Sequence, residues 1–141
     1  MKRAGRGFTL IEMLLVVSIV AVLAAIAFPQ FAEIMKRAKR SEGKQALLAA
    51  VQKMERYNTN NGRYPSTMAE AGVSDKSNSD TPANASYNIA VAAGATGSLN
   101  TSWVFTATPV FSDPKCGNLI IDNLGSKTIS AAAAETVRCW Q

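Results

Sequence analysis

The sequence predicts an α+β fold in which one long N-terminal α-helix packs on a small antiparallel β-sheet. Three observations predict it. From Met13 to Ala32 no residue is charged, a run long enough for a helix to cross ~30 Å of hydrocarbon. Beyond it, apolar residues recur at helical spacing between basic ones. After residue 58 that period stops, and short β-branched and aromatic runs alternate with turn residues.

The helix comes first. Phe31, Ile34, Met35 and Ala38, then Leu47, Leu48, Val51 and Met54, follow i, i+3, i+4 spacing along one stripe. Between them Lys36, Arg37, Lys39, Arg40, Glu42 and Lys44 read as a solvated face. The pattern predicts a helix from about Phe8 to about Tyr57, ~75 Å long at 1.5 Å per residue. Asn58-Thr59-Asn60-Asn61-Gly62 supplies the breaker chemistry that ends it. The first half is apolar all round and needs burial on every side, in lipid or in a helical bundle. The second half is amphipathic, and a sheet can cover its apolar side. Pro29 interrupts the helical pattern near the junction, where it removes a backbone hydrogen bond and crowds the preceding turn.

Arg63-Tyr64-Pro65-Ser66 opens a polar, turn-rich loop running to about Ser86. Strands are expected at Tyr87–Val91 and Trp103–Thr108, with Gly94-Ala95-Thr96-Gly97 as a turn between them. Leu119–Asp122 and Lys127–Ser130 flank Asn123-Leu124-Gly125-Ser126, a four-residue hairpin turn. These give a sheet of three or four strands lying on the Leu47–Met54 stripe.

Composition excludes several functions. The chain has 141 residues, two cysteines and no histidine. Without histidine, Ser-His and Cys-His nucleophiles are excluded, and no GxxxxGK[ST] or GxGxxG phosphate cradle is present. No catalytic residue, cofactor or metal site is expected. Carboxylates such as Asp75, Asp80, Asp113 and Asp122 are scattered without metal spacing. Cys116 and Cys139 could be free thiols, a metal fragment or one disulfide. Structural zinc needs four ligands, and behind an export segment a disulfide reads best. Asn84-Ala85-Ser86 and Asn100-Thr101-Ser102 fit the N-x-[ST] pattern, which is common by chance.

The apolar segment admits three readings: a secretory signal cut after Ala27 in Ala25-Ile26-Ala27, a plain membrane anchor, or a segment that first sits in lipid and later packs against copies of itself. Glu12 separates them. A carboxylate at the centre of a membrane helix costs about 2.5–3.5 kcal/mol on insertion scales, and even near the interface such groups are usually paired. No Lys or Arg lies within a turn or two on its C-terminal side, so its partner must come from the N-terminus or from another molecule.

The stretch Gly7-Phe8-Thr9-Leu10-Ile11-Glu12, behind a leader carrying Lys2, Arg3 and Arg6 and ahead of an aliphatic helix, resembles the N-terminal signature of type IV pilins and related pseudopilins. The resemblance implies a type IV pilin-like fold and a prepilin peptidase that cuts between Gly7 and Phe8 on the cytoplasmic side, then methylates the Phe8 amine. It divides the chain into a leader (1–7), an apolar transmembrane and filament-core helix (8–32), an amphipathic continuation (33–58) and a globular region (59–141). It further implies that Glu12 meets the Phe8 amine of a neighbouring subunit and sets axial register, and that the segment around Pro29 is a helix weak point in the filament. A paired buried charge is roughly neutral in energy and specifies geometry. Cys116 to Trp140, with its hairpin, is similar to the disulfide-bounded C-terminal region of PilE-like pilins.

Implied partners are other pilin subunits in a helical homo- or hetero-polymer, the peptidase, inner-membrane assembly machinery with a separate ATPase, and membrane lipid before assembly. The chain is expected in the inner membrane with its N-terminus in the cytoplasm, then in an extracellular fibre for adhesion, twitching motility or DNA uptake. Flanking charge does not fix that orientation, because Lys36, Arg37, Lys39, Arg40 and Lys44 also follow the span. Removing Lys2, Arg3 and Arg6 from the formal +5 leaves +2, weak support for nucleic-acid binding. The rivals are a type II secretion pseudopilin, which Asn61-Gly62-Arg63-Tyr64-Pro65 resembles, and a DNA-binding pilin for natural transformation. For the latter the Lys36–Lys44 run could bind phosphates, but the local sequence interleaves no aromatic residues with it.

Overall fold

The computed structural model describes residues 8–131 and 135–141, so the leader, including Gly7, lies outside the described residues. The chain forms two compact units, residues 1–36 and 37–141. Helix α1 spans Leu10–Asn61. Strands β1 (Tyr87–Ala93), β2 (Trp103–Pro109), β3 (Leu119–Asp122) and β4 (Lys127–Ile129) and a short helix α2 (Thr136–Trp140) follow. The sheet has four antiparallel strands in sequence order.

Thr9 is the N-cap of α1: its hydroxyl accepts from the Glu12 amide at 3.3 Å and its carbonyl from Met13 at 3.2 Å. With Glu12 three residues on, this is the Thr-x-x-Glu pattern of a capping box. The helix outruns the sequence expectation at its other end. Thr59 and Asn61 donate side-chain hydrogen bonds to the carbonyls of Glu55 and Tyr57, which satisfies last-turn groups and carries α1 to Asn61. Gly62 then ends it with φ +69° and an amide N–H that donates to the Asn58 carbonyl at 2.8 Å, a left-handed C-cap.

The core lies in the second unit. Alternate strand residues face it: Tyr87 and Ile89, then Trp103, Phe105 and Ala107, then Leu119 and Ile121. In register, Ile89, Ala107 and Leu119 form one cross-strand row, and Val91, Phe105 and Ile121 form the next. They pack on Leu47, Ala50 and Met54 of α1. The buried helix stripe is therefore Arg40, Gly43, Leu47, Ala50, Met54, at three- and four-residue spacing. Leu48, expected on it, is exposed, and Val51 is half-buried. Small residues at 43 and 50 let α1 approach the sheet. A Cβ on Gly43 would come within 2.7 Å of the Tyr87 ring.

Two charged residues expected on a solvated face are not there. Arg40 is buried, its Nε and Nη2 donating to the two Asp113 oxygens at 2.7 and 2.6 Å. Glu42 is half-buried and accepts from the Ser86 amide at 3.0 Å, the Ser86 hydroxyl at 2.6 Å and the Ser77 hydroxyl. Both pairs close contacts from far along the chain, invisible to local charge patterning.

The expected turns are present. At the β3–β4 hairpin, the Asp122 carboxylate accepts from the Leu124 and Ser126 amides, and Gly125 takes φ +79°. The loop before β1 carries more order than its sequence shows. Ser77 and Ile89 amides bond across to the Tyr87 and Asp75 carbonyls, adding a bridge at Lys76 to the outer edge of β1. Cys116 and Cys139 form a disulfide with Cα atoms 5.8 Å apart.

Candidate functional site

The apolar unit is the first candidate surface. From Phe8 to Ala32 every residue whose side chain is described is exposed. By length and composition α1 can cross a membrane. Phe8 and Leu10 are each 79% exposed, so this surface needs lipid or neighbouring helices to cover it. Glu12 sits in the first turn, where a carboxylate faces the positive end of the helix dipole. Residue 29 lies within α1, which runs through it without a break.

The second candidate surface is basic. Its helical member is Lys44, one turn beyond the buried Arg40. Asp113 holds Arg40 in place and also accepts from the Cys116 amide at 3.3 Å, so the ion pair seats the start of the disulfide loop against α1. Burial pushes the Asp113 carboxyl up, but the Arg40 pair and the Cys116 and Lys115 amides outweigh it and hold it below the usual range. The same balance applies at Glu42, where burial is outweighed by the Ser77 and Ser86 bonds and by Lys39.

The C-terminal segment completes this face. Lys44 donates to the Gln141 backbone oxygen. The Lys127 ammonium lies 5.5 Å from the Trp140 ring centre, and the Trp140 indole donates to the Thr128 carbonyl at 3.0 Å. Cys139, bonded to Cys116, fixes α2 beside β4. Lys39 lies 4.8 Å from the Phe111 ring centre. The basic run thus has an aromatic neighbour after all: Phe111 reaches Lys39 from 72 residues further along the chain rather than from the run itself.

Burial lowers the Lys44 pKa first, and repulsion from Arg40 and Lys127 lowers it further. Cations that feel one another this way form a local positive potential that an incoming anion relieves. A cleft of about 90 Å³ beside β1 is lined by Lys53 and Lys76, whose ammonium groups bond the Gly72 carbonyl and the Asn88 side chain. Among the described residues no group of three His, Cys, Asp or Glu side chains gathers as metal ligands.

A long helix with an exposed apolar first half, packed through its second half on a four-stranded antiparallel sheet, is the architecture of a type IV pilin subunit. Residues 2–28 match the prokaryotic N-terminal methylation motif. Residues 29–120 match the family described as type IV minor pilin ComP, DNA uptake sequence receptor, and the chain belongs to that family. No curated protein matches the chain. The family match favours a minor pilin over the secretion pseudopilin rival. It stops within β3, so Lys127, Cys139 and Trp140 lie beyond it.

Proposed function

We propose that this chain is a minor pilin that captures DNA at the surface of a type IV pilus, and that it performs no catalysis. The description of the matched family as a DNA uptake sequence receptor supports this reading. The observation on this chain that carries it is the meeting of Lys44, Lys127 and Trp140 on one face, with Lys39 over Phe111. Phosphates bind such a face through Lys side chains, with counterion release that makes affinity fall as salt rises.

Delivery to the surface follows the pilin route. Prepilin peptidase cuts between Gly7 and Phe8 and methylates the Phe8 amine. The 8–32 segment holds the subunit in the inner membrane, N-terminus in the cytoplasm, until machinery with its own ATPase extracts it. In the fibre Glu12 pairs with the Phe8 amine of a neighbour, and the segment at Pro29 yields under extension. The exposed apolar unit supports this route, since helices exchanging lipid for one another would cover it.

The test is binding of the full chain in detergent micelles to labelled duplex DNA over a salt series. The logarithm of the binding constant falls linearly with log salt, and Lys127→Ala and Lys39→Ala each weaken binding and reduce the slope by about one. Binding that is absent at low salt, or indifferent to both substitutions, overturns the receptor reading.

A further inference from the structure

The β3–β4 turn presents one large apolar side chain to solvent on a rigid support. Leu124 is 82% exposed, more than Val110 or Val137 elsewhere in the same unit. Exposed leucines are ordinary on protein surfaces; the support under this one is not. The Leu124 and Ser126 amides bond the Asp122 carboxylate at 3.0 and 2.8 Å, and the Gly125 amide bonds the Asp122 carbonyl at 3.0 Å. Asp122 donates to the Ser126 carbonyl at 3.2 Å, and Asn123 to the Trp103 carbonyl at 3.1 Å. Every amide from 122 to 126 is therefore used inside the turn or against β2. With its backbone amides used, the tip offers a partner the Leu124 isobutyl group rather than backbone hydrogen-bond donors.

The electrostatic setting says which partner. Three residues on, Lys127 lies beside Trp140 and adds to the potential felt by Lys44. The Asp122 carboxylate is turned inward onto the loop amides. A stiff apolar tip beside cations that hold phosphates is the arrangement by which proteins wedge a side chain between base pairs. We propose that Leu124 is a wedge that inserts at a base step of bound duplex DNA, unstacking it while Lys127 holds the adjacent backbone. This rests on the DNA-capture reading and adds a binding mode to it. Wedging costs unstacking energy that depends on the step, so Leu124 would also favour easily unstacked pyrimidine–purine steps.

The experiment uses the full chain in micelles and short duplexes selected on it from a random pool, with 2-aminopurine replacing adenine at successive steps. Wild-type protein brightens the probe at one step at least severalfold. Leu124→Ala abolishes the brightening while keeping the salt slope, and Leu124→Met retains both. Thermal melting of each variant confirms that the hairpin is intact. Wild-type binding without brightening, or brightening that survives Leu124→Ala, overturns the wedge and leaves DNA capture standing. Failure to select any duplex overturns both.

Discussion

Gly43→Ala tests how closely the helix and sheet approach. In an isolated helix the change stabilises by roughly 1 kcal/mol, because alanine loses less backbone freedom. Here the new methyl would lie 2.7, 2.8 and 3.0 Å from Cδ2, Cε2 and Cγ of Tyr87. Carbon atoms prefer about 3.5–4.0 Å, so the ring must retreat by about 1 Å. It has little room: Tyr87 is fully buried and meets Phe111 edge-on at 5.5 Å. Overpacking of this kind costs about 1–3 kcal/mol, and with a contact this short the upper half of that range applies. The net expectation is a loss of about 1–2 kcal/mol, read by circular dichroism as a lower melting temperature, roughly 4–8 °C per kcal/mol for a unit of this size. In a Tyr87→Val background the clash disappears and the same substitution turns neutral or stabilising. A Gly43→Ala protein as stable as wild type, with Tyr87 intact, would refute the close approach.

Other expectations follow from the same contacts. Asp113→Ala takes away the carboxylate that both Nε and Nη2 of buried Arg40 meet and lowers stability by about 3–5 kcal/mol in denaturant titration, while Arg40→Met with Asp113→Leu recovers most of it. The folded pKa values of Asp113 and Glu42 lie below their ordinary values, so their contribution is complete at neutral pH, begins to fall near pH 4 and is lost as pH drops through the folded values; acid titration of Asp113→Asn flattens that limb. Reducing Cys116–Cys139 opens a loop with sequence separation 23 and costs about 3 kcal/mol in the chain-entropy model, measurable by melting with and without reductant. Glu12→Ala still inserts and is processed but enters filaments poorly; normal incorporation, scored by immunoblot of sheared fibres, removes the register role.

What could be read in the sequence was local chemistry. The hairpin at Asn123–Ser126 was legible because Asp122 and Gly125 encode the turn within five residues. The helix and strand positions were legible from period alone. The buried stripe was half-read: Leu47 and Met54 stood out, but Gly43 and Ala50 face the sheet because they are small, and period analysis weighs only size and apolarity. Arg40 looked solvated because its partner, Asp113, lies 73 residues away. The basic run looked devoid of aromatics for the same reason, since Phe111 reaches Lys39 only through the fold. Long-range pairing hid the candidate interface, and the disulfide, whose two cysteines the sequence had marked, helps assemble it.

The account rests on a subunit that begins at Phe8. Mass spectrometry of the N-terminal peptide from protein purified out of membranes tests this directly. The account predicts a chain starting at N-methylated Phe8 with Glu12 intact and the whole 8–32 segment retained. A mature chain starting at Phe28, after Ala27, would contradict it and leave an exported domain with no means of entering a fibre.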